Sequence, residues 1–113
     1  MHELSLVQSL LDIIEEYRDG GNFQKVSTVR LSFGRLGGIE PAALRFAFEV
    51  AARGTVAEGA ALEFDMLPIV LSCLDCGEDS PVDVFSANCP RCGGDVLVTG
   101  GKEELRFLEM DVD

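Results

Sequence analysis

Histidine is almost missing from this 113-residue chain: its one imidazole stands at position 2. Catalysis by a nucleophile with a histidine base is therefore poorly provided for, and Ser5 and the other serines have no partner at a recognisable spacing. Basic residues are scarce too. Nine Lys and Arg face twenty Asp and Glu, a formal charge of -11, so the long-range field repels phosphate backbones and anionic membrane surfaces. No run of about 18 apolar residues occurs. The N-terminal apolar stretch is cut by Glu3, Asp12, Glu15 and Glu16, which suits neither a spanning helix nor a signal peptide. "GRLGG" lacks both the lysine and the strand-to-helix setting of a phosphate-binding loop. These absences point to a soluble, cytoplasmic protein with no catalytic residues, whose partners are proteins or cations.

What is present is a modest core with a module set into it. With 47% apolar residues the chain can bury one such core, and a small stapled unit besides. Leu4, Val7, Leu11 and Ile14, flanked by Leu10 and Tyr17, fall at helical spacing until Gly20 and Gly21. Val29, Leu31 and Phe33 alternate with polar neighbours as in a half-buried strand that stops at Gly37 and Gly38. Pro41 suits a first helical turn, and Leu44, Ala47, Phe48 and Ala51 continue a second helix towards Gly54. Leu62, Phe64 and Met66 alternate before Pro68. Leu105 and Phe107 do so near the end, until Leu108 breaks the phase and Met110 and Val112 resume it, which predicts a bulge. Residues 71–96, where apolar side chains thin out and Pro81, Pro90 and the cysteines gather, read as an inserted module.

The four cysteines form two knuckles, Cys73-Leu-Asp-Cys76-Gly77 and Cys89-Pro-Arg-Cys92-Gly93, twelve residues apart. That spacing lets four thiolates converge tetrahedrally on one structural Zn(II), with no position left open for a catalytic water. Glycine after each second cysteine allows a positive-φ turn that aims backbone N–H groups at the sulfurs. The module has too few apolar residues to offset its own ordering, so metal binding would supply the folding energy. A rubredoxin-like iron site and dithiol redox chemistry are the other occupants of such a motif. Redox chemistry would call for one pair at a helix N-terminus beside a parallel strand, which neither pair has. Nucleic-acid binding by the module is disfavoured, since Arg91 is its only basic group.

The N-terminus allows two readings. Ser5-Leu-Val-Gln8 has the form of a capping box, which would leave residues 1–4 as a loose leader. Alternatively, methionine is normally retained before histidine, and the Met1 amine, the ionised His2 amide and the His2 ring can chelate one ion in fused rings. That nitrogen-rich, near-planar set suits Ni(II) or Cu(II), and Glu3 could complete it through its amide or approach with its carboxylate.

Taken together, "MHELSLVQSLLDII", "RLGGIEPAALRFAFEV", the "ALEF" strand and the two CxxC knuckles of a C-terminal insert resemble the hydrogenase maturation nickel metallochaperone family, HypA/HybF, from end to end. The resemblance implies an α+β fold of two helices on a three-stranded sheet, with a four-cysteine zinc ribbon inserted before the last strand. It divides the chain into a nickel-binding domain (1–70 plus 97–113) and the ribbon (71–96). Met1, His2 and Glu3 take the nickel role, and Cys73, Cys76, Cys89 and Cys92 the zinc role. Nickel would be transient cargo, handed to the large subunit of a [NiFe] hydrogenase in concert with a GTPase partner, by a monomer or homodimer. Some relatives carry histidines in the zinc module; this chain has none there. Two rival classes remain, a zinc-ribbon interaction module without a second metal and a dithiol oxidoreductase.

The charge balance gives a first prediction: in a gel-shift assay at physiological salt the protein leaves duplex DNA and RNA unshifted. Micromolar, salt-sensitive binding would contradict it.

Overall fold

The computed structural model describes residues 2–21 and 23–113, with His2 described through its backbone alone. In chain order the elements are α1 (His2–Gly20), β1 (Val26–Gly34), α2 (Pro41–Ala51), β2 (Ala61–Leu67), β3 (Ile69–Cys73), β4 (Asp79–Val82), β5 (Val96–Gly100) and β6 (Arg106–Val112). They form two three-stranded sheets, ordered β2-β1-β6 and β4-β3-β5. The class is α+β, with the two expected helices and a separate cysteine-bearing sheet.

One compact unit comprises Met1–Ser32, Ile39–Asp65 and Arg106–Asp113. Its core joins one face of each helix to the inner face of β1: Val7, Leu10, Leu11 and Ile14 from α1, Leu44 and Phe48 from α2, and Val26, Val29 and Leu31 are all buried. The helices pack on each other. Tyr17 of α1 stacks on Phe107 of β6 with ring centroids 6.0 Å apart. Arg45 of α2 donates to the Leu62 carbonyl of β2 at 2.8 Å and sits 4.7 Å from the centre of the Phe64 ring.

The bulge expected at Leu108 is present. Arg30 and Leu31, adjacent in β1, pair with Glu109 and Phe107, so Leu108 has no partner opposite it. A second bulge on β1 offsets the first: Val26 and Thr28 pair with Val112 and Asp111, leaving Ser27 extra, its hydroxyl donating to the Asp111 carbonyl. This explains why Val26 and Val29, three apart, are both buried although strand periodicity is two. On the exposed face Arg30 ties three strands together, bonding Glu63 of β2 at 2.9 Å and Glu109 and Asp111 of β6 at 3.2 and 3.0 Å. The hydrogen bond that Arg30 donates to the Asp111 carboxylate is the main cause that raises the Arg30 pKa.

One helix runs differently from its sequence signals at its start. α1 begins at His2 and not at Ser5, so residues 2–4 are its first turn and not a loose leader. α2 starts as expected, with Pro41 in the first turn and Glu40 as its N-cap.

The other unit comprises Phe33–Gly38 and Met66–Leu105. β3 is central, paired antiparallel to β4 and β5, and Ile69, Leu71 and Cys73 are buried. The unit is wider than the 71–96 window because β3 starts at Ile69, β5 runs to Gly100, and the 33–38 turn bonds to both flanks of this sheet. Arg35 N–H donates to Leu67, Leu36 N–H to Gly101 and Gly34 N–H to Glu103. Gly34 lies so close to the Gly101 carbonyl that a Cβ there would overlap it.

Gly34→Ala is therefore expected to cost about 1–3 kcal/mol or more, since the neighbour that would have to yield is backbone. Urea unfolding followed by fluorescence of a dye-labelled protein would check this, and an unchanged midpoint would refute it.

Candidate metal centre

The two knuckles repeat one backbone design. Cys73 N–H donates to the Glu78 carbonyl at 3.0 Å, and Cys89 N–H to the Gly94 carbonyl, the same five residues ahead, at 2.8 Å. Each loop closes through a positive-φ glycine, Gly77 at 76° and Gly93 at 79°, as the motif predicts. The turns carry N–H groups to the sulfurs: Cys73 Sγ accepts from Asp75 and Cys76 at 3.3 and 3.2 Å, and Cys89 Sγ from Arg91 at 3.3 Å. β3 supplies Cys73, Leu74 N–H ties the first knuckle to Asp95, and Asn88 bridges to Asp95 beside the second.

The result is one cluster. All four Sγ atoms lie within 4.8 Å of one another. Cys73 and Cys92 are 3.5 Å apart, and Cys76 and Cys89 3.8 Å. Tetrahedral ligation at a metal–sulfur distance of about 2.3 Å requires sulfurs about 3.8 Å apart, so the cage has the right size for one ion. Cys73 and Cys89 are buried and Cys76 and Cys92 exposed, giving the site a closed inner side and an open outer side.

Without a cation the sulfurs titrate apart. The Cys76 N–H, aided by that of Asp75, holds Cys73 down at about 6 against the burial that would raise it. The N–H groups of Cys92 and Arg91 lower Cys89 in the same way. At Cys92 the Gly94 N–H lowers the pKa, but the Cys73 sulfur, burial and the other two sulfurs outweigh it and push the thiol up to about 12. Cys76 is likewise raised: the Glu78 N–H lowers it, and Cys73 with burial prevails. A tetrathiolate thus requires a metal to displace the protons that Cys76 and Cys92 still hold at neutral pH.

Of the residues at the N-terminus, Met1 lies outside the described residues, as does the His2 side chain. The backbone of His2 is described. His2 and Glu3 occupy the first turn of α1, where N–H groups have no carbonyl four residues back, so ionising those amides breaks no helix bond. Glu3 is half-buried, and its carboxylate lies 3.5 Å from the Glu40 nitrogen. Glu40 is a neighbour that sequence spacing gave no means of finding.

Two outcomes follow for the cysteine site. Loading a metal at pH 7 releases protons from Cys76 and Cys92, so affinity rises with pH; a pH-independent affinity in chelator competition would contradict this. Gly77→Ala or Gly93→Ala meets open space at the new methyl group, so its cost is the left-handed backbone alone, about 1–2 kcal/mol of metal-loaded stability by thermal unfolding.

Comparison with known proteins bears on what these two regions serve. A family profile described as "Hydrogenase/urease nickel incorporation, metallochaperone, hypA" matches residues 1–112. The hydrogenase maturation factor HypA of Syntrophus aciditrophicus (strain SB) is 60% identical over 100% of both chains. That of Rhodobacter capsulatus is 44% identical over 99% of each. Among solved structures, a solution structure of HypA protein aligns with a TM-score of 0.67 at 26% identity, covering 99% of this chain and 96% of that one. The solution structure of the Ni metallochaperone HypA from Helicobacter pylori shares the fold, with a TM-score of 0.61 at 24% identity over 97% and 96%. Full-length agreement in sequence and fold, with the cysteine cage in place, leads to one conclusion: the chain belongs to the HypA family of nickel metallochaperones for hydrogenase maturation, a maturation factor and not an enzyme.

Proposed function

We propose that the chain binds Ni(II) at its N-terminus, through the Met1 amine, the His2 ring and backbone nitrogens of the first turn. It delivers the ion to the large subunit of a [NiFe] hydrogenase, working with a GTPase maturation partner. The four-cysteine cage holds a structural Zn(II). In this reading the α1, α2 and β2-β1-β6 unit handles the cargo, and the ribbon built around residues 71–96 is stabilised by its own metal.

The observation that carries the reading is where α1 starts. A helix that opens at His2 leaves the His2 and Glu3 amides without carbonyls four residues back, at the residue that carries the protein's only imidazole. Nitrogen donors close enough for fused chelate rings favour square-planar Ni(II) over tetrahedral Zn(II). The family description, nickel incorporation, supports nickel as the cargo. The relatives' name, hydrogenase maturation factor, supports the recipient. Zinc suits the cage because four thiolates at tetrahedral spacing leave no open position, as a structural zinc site requires. The first turn is exposed to solvent at Leu4 and Ser5, so cargo held there is accessible to another protein without opening the core.

Calorimetric nickel titration of protein with its native terminus, of His2→Ala and of a chain extended by one or two residues before Met1 tests the proposal. Both changes should weaken binding by more than the roughly 10–100-fold that loss of a supporting contact costs a metal site. Affinity of the native protein should climb with pH as amine and amide lose protons. Equal affinity in the extended chain, which keeps the imidazole but converts the amine into an amide, would rule out this chelate.

A further inference from the structure

Two carboxylates serve the N-terminus of α2, and one of them comes from the first turn of α1. Pro41 has no N–H to satisfy. The Ala42 N–H donates to Oε1 of Glu40 at 3.0 Å, and the Glu40 N–H donates to Oε2 of Glu3 at 3.5 Å, across 37 positions of sequence. Glu40 is thus bonded through its side chain to its own helix and through its backbone to α1. Below this contact Glu3 and Leu4 line an apolar hollow with Ala43, Phe46, Ala47 and Val50.

A carboxylate at the positive end of a helix is stabilised there, whereas a divalent cation at the same place is not. The Glu3 side chain is accordingly drawn towards α2, while its backbone nitrogen, in the first turn of α1, keeps no helical partner. The geometry points to a division of labour within Glu3. Its carboxylate is a tether that fixes the cargo-bearing terminus against the start of α2, with Glu40 as the positioning residue that receives it, and the carboxylate stays out of the nickel coordination sphere. This rests on the nickel chelate proposed above. The tether sets how long the loaded terminus keeps the geometry that holds the ion, and so governs the rate of nickel release.

The test uses the full chain with its native terminus, Ni(II) chloride as the probe, and the variants Glu3→Gln, which keeps an oxygen acceptor, and Glu3→Ala, which removes it. In nickel-free protein the Glu40 amide proton resonance should move in Glu3→Ala, and move less in Glu3→Gln. In loaded protein the visible absorption band of nickel should keep its position in both variants, since no ligand is lost. Release of nickel to an added chelator should quicken by about two- to fivefold in Glu3→Ala, the scale of one charge interaction at a helix end. A shifted band would make the carboxylate a ligand and overturn the inference, as would an unmoved Glu40 resonance or an unchanged release rate. If the unaltered protein binds no nickel at its terminus, it is the proposed function that fails, and the tether then stands or falls on the Glu40 resonance.

Discussion

Four cysteine sulfurs held within 4.8 Å of one another cannot all be ionised unless a cation sits between them. The backbone has prepared half of that condition: N–H groups already stabilise charge on Cys73 and Cys89, while Cys76 and Cys92 hold their protons because the first two are so near. The sheet β4-β3-β5 closes directly onto this cluster, since Cys73 is the last residue of its central strand and is buried there. Few apolar side chains of the ribbon are free to replace the metal as a source of cohesion. Leu74, Val84, Phe85 and Leu97 are all exposed.

The same constraint bears on the proposed division of metals between the two regions. Thiolates bind Ni(II) as well as Zn(II), so an unfilled cysteine cage would compete with the terminus for cargo. A resident ion that satisfies all four sulfurs removes that competition and leaves the proposed nitrogen donors at the start of α1 free for nickel. Exposure then separates the roles further. The cage buries two of its ligands, one of them at the end of β3, whereas the first turn of α1 meets solvent at Leu4 and Ser5 and reaches the start of α2 through the Glu3 carboxylate. Structural permanence and ready transfer call for these opposite settings.

Much of this was legible in the sequence where a local rule applies. The knuckle glycines had to take positive φ, Pro41 had to open a helix, and the broken alternation at Leu108 had to be a bulge. Three features escaped for physical reasons. The compensating bulge at Ser27 is invisible because Ser27 and Thr28 both suit an exposed strand position, and only the register against Val112 and Asp111 exposes the extra residue. The strands β3 to β5 are short, β4 carries Pro81, and they depend on pairing across the sheet and on the cysteine cluster more than on their own periodicity. The start of α1 was ambiguous because Ser5 and Gln8 have capping-box spacing, although the helix gains its first turn from residues 2–4. The approach of Glu3 to Glu40 is a product of helix packing and leaves no trace in spacing.

The central claim is that two metals occupy two chemically distinct donor sets in one small chain. X-ray absorption at the zinc and nickel edges of the same doubly loaded, native-terminus sample tests it most directly. The account predicts four sulfurs at about 2.3 Å around zinc and only nitrogen and oxygen donors around nickel. Sulfur in the nickel shell, or nitrogen in place of sulfur around zinc, would contradict it.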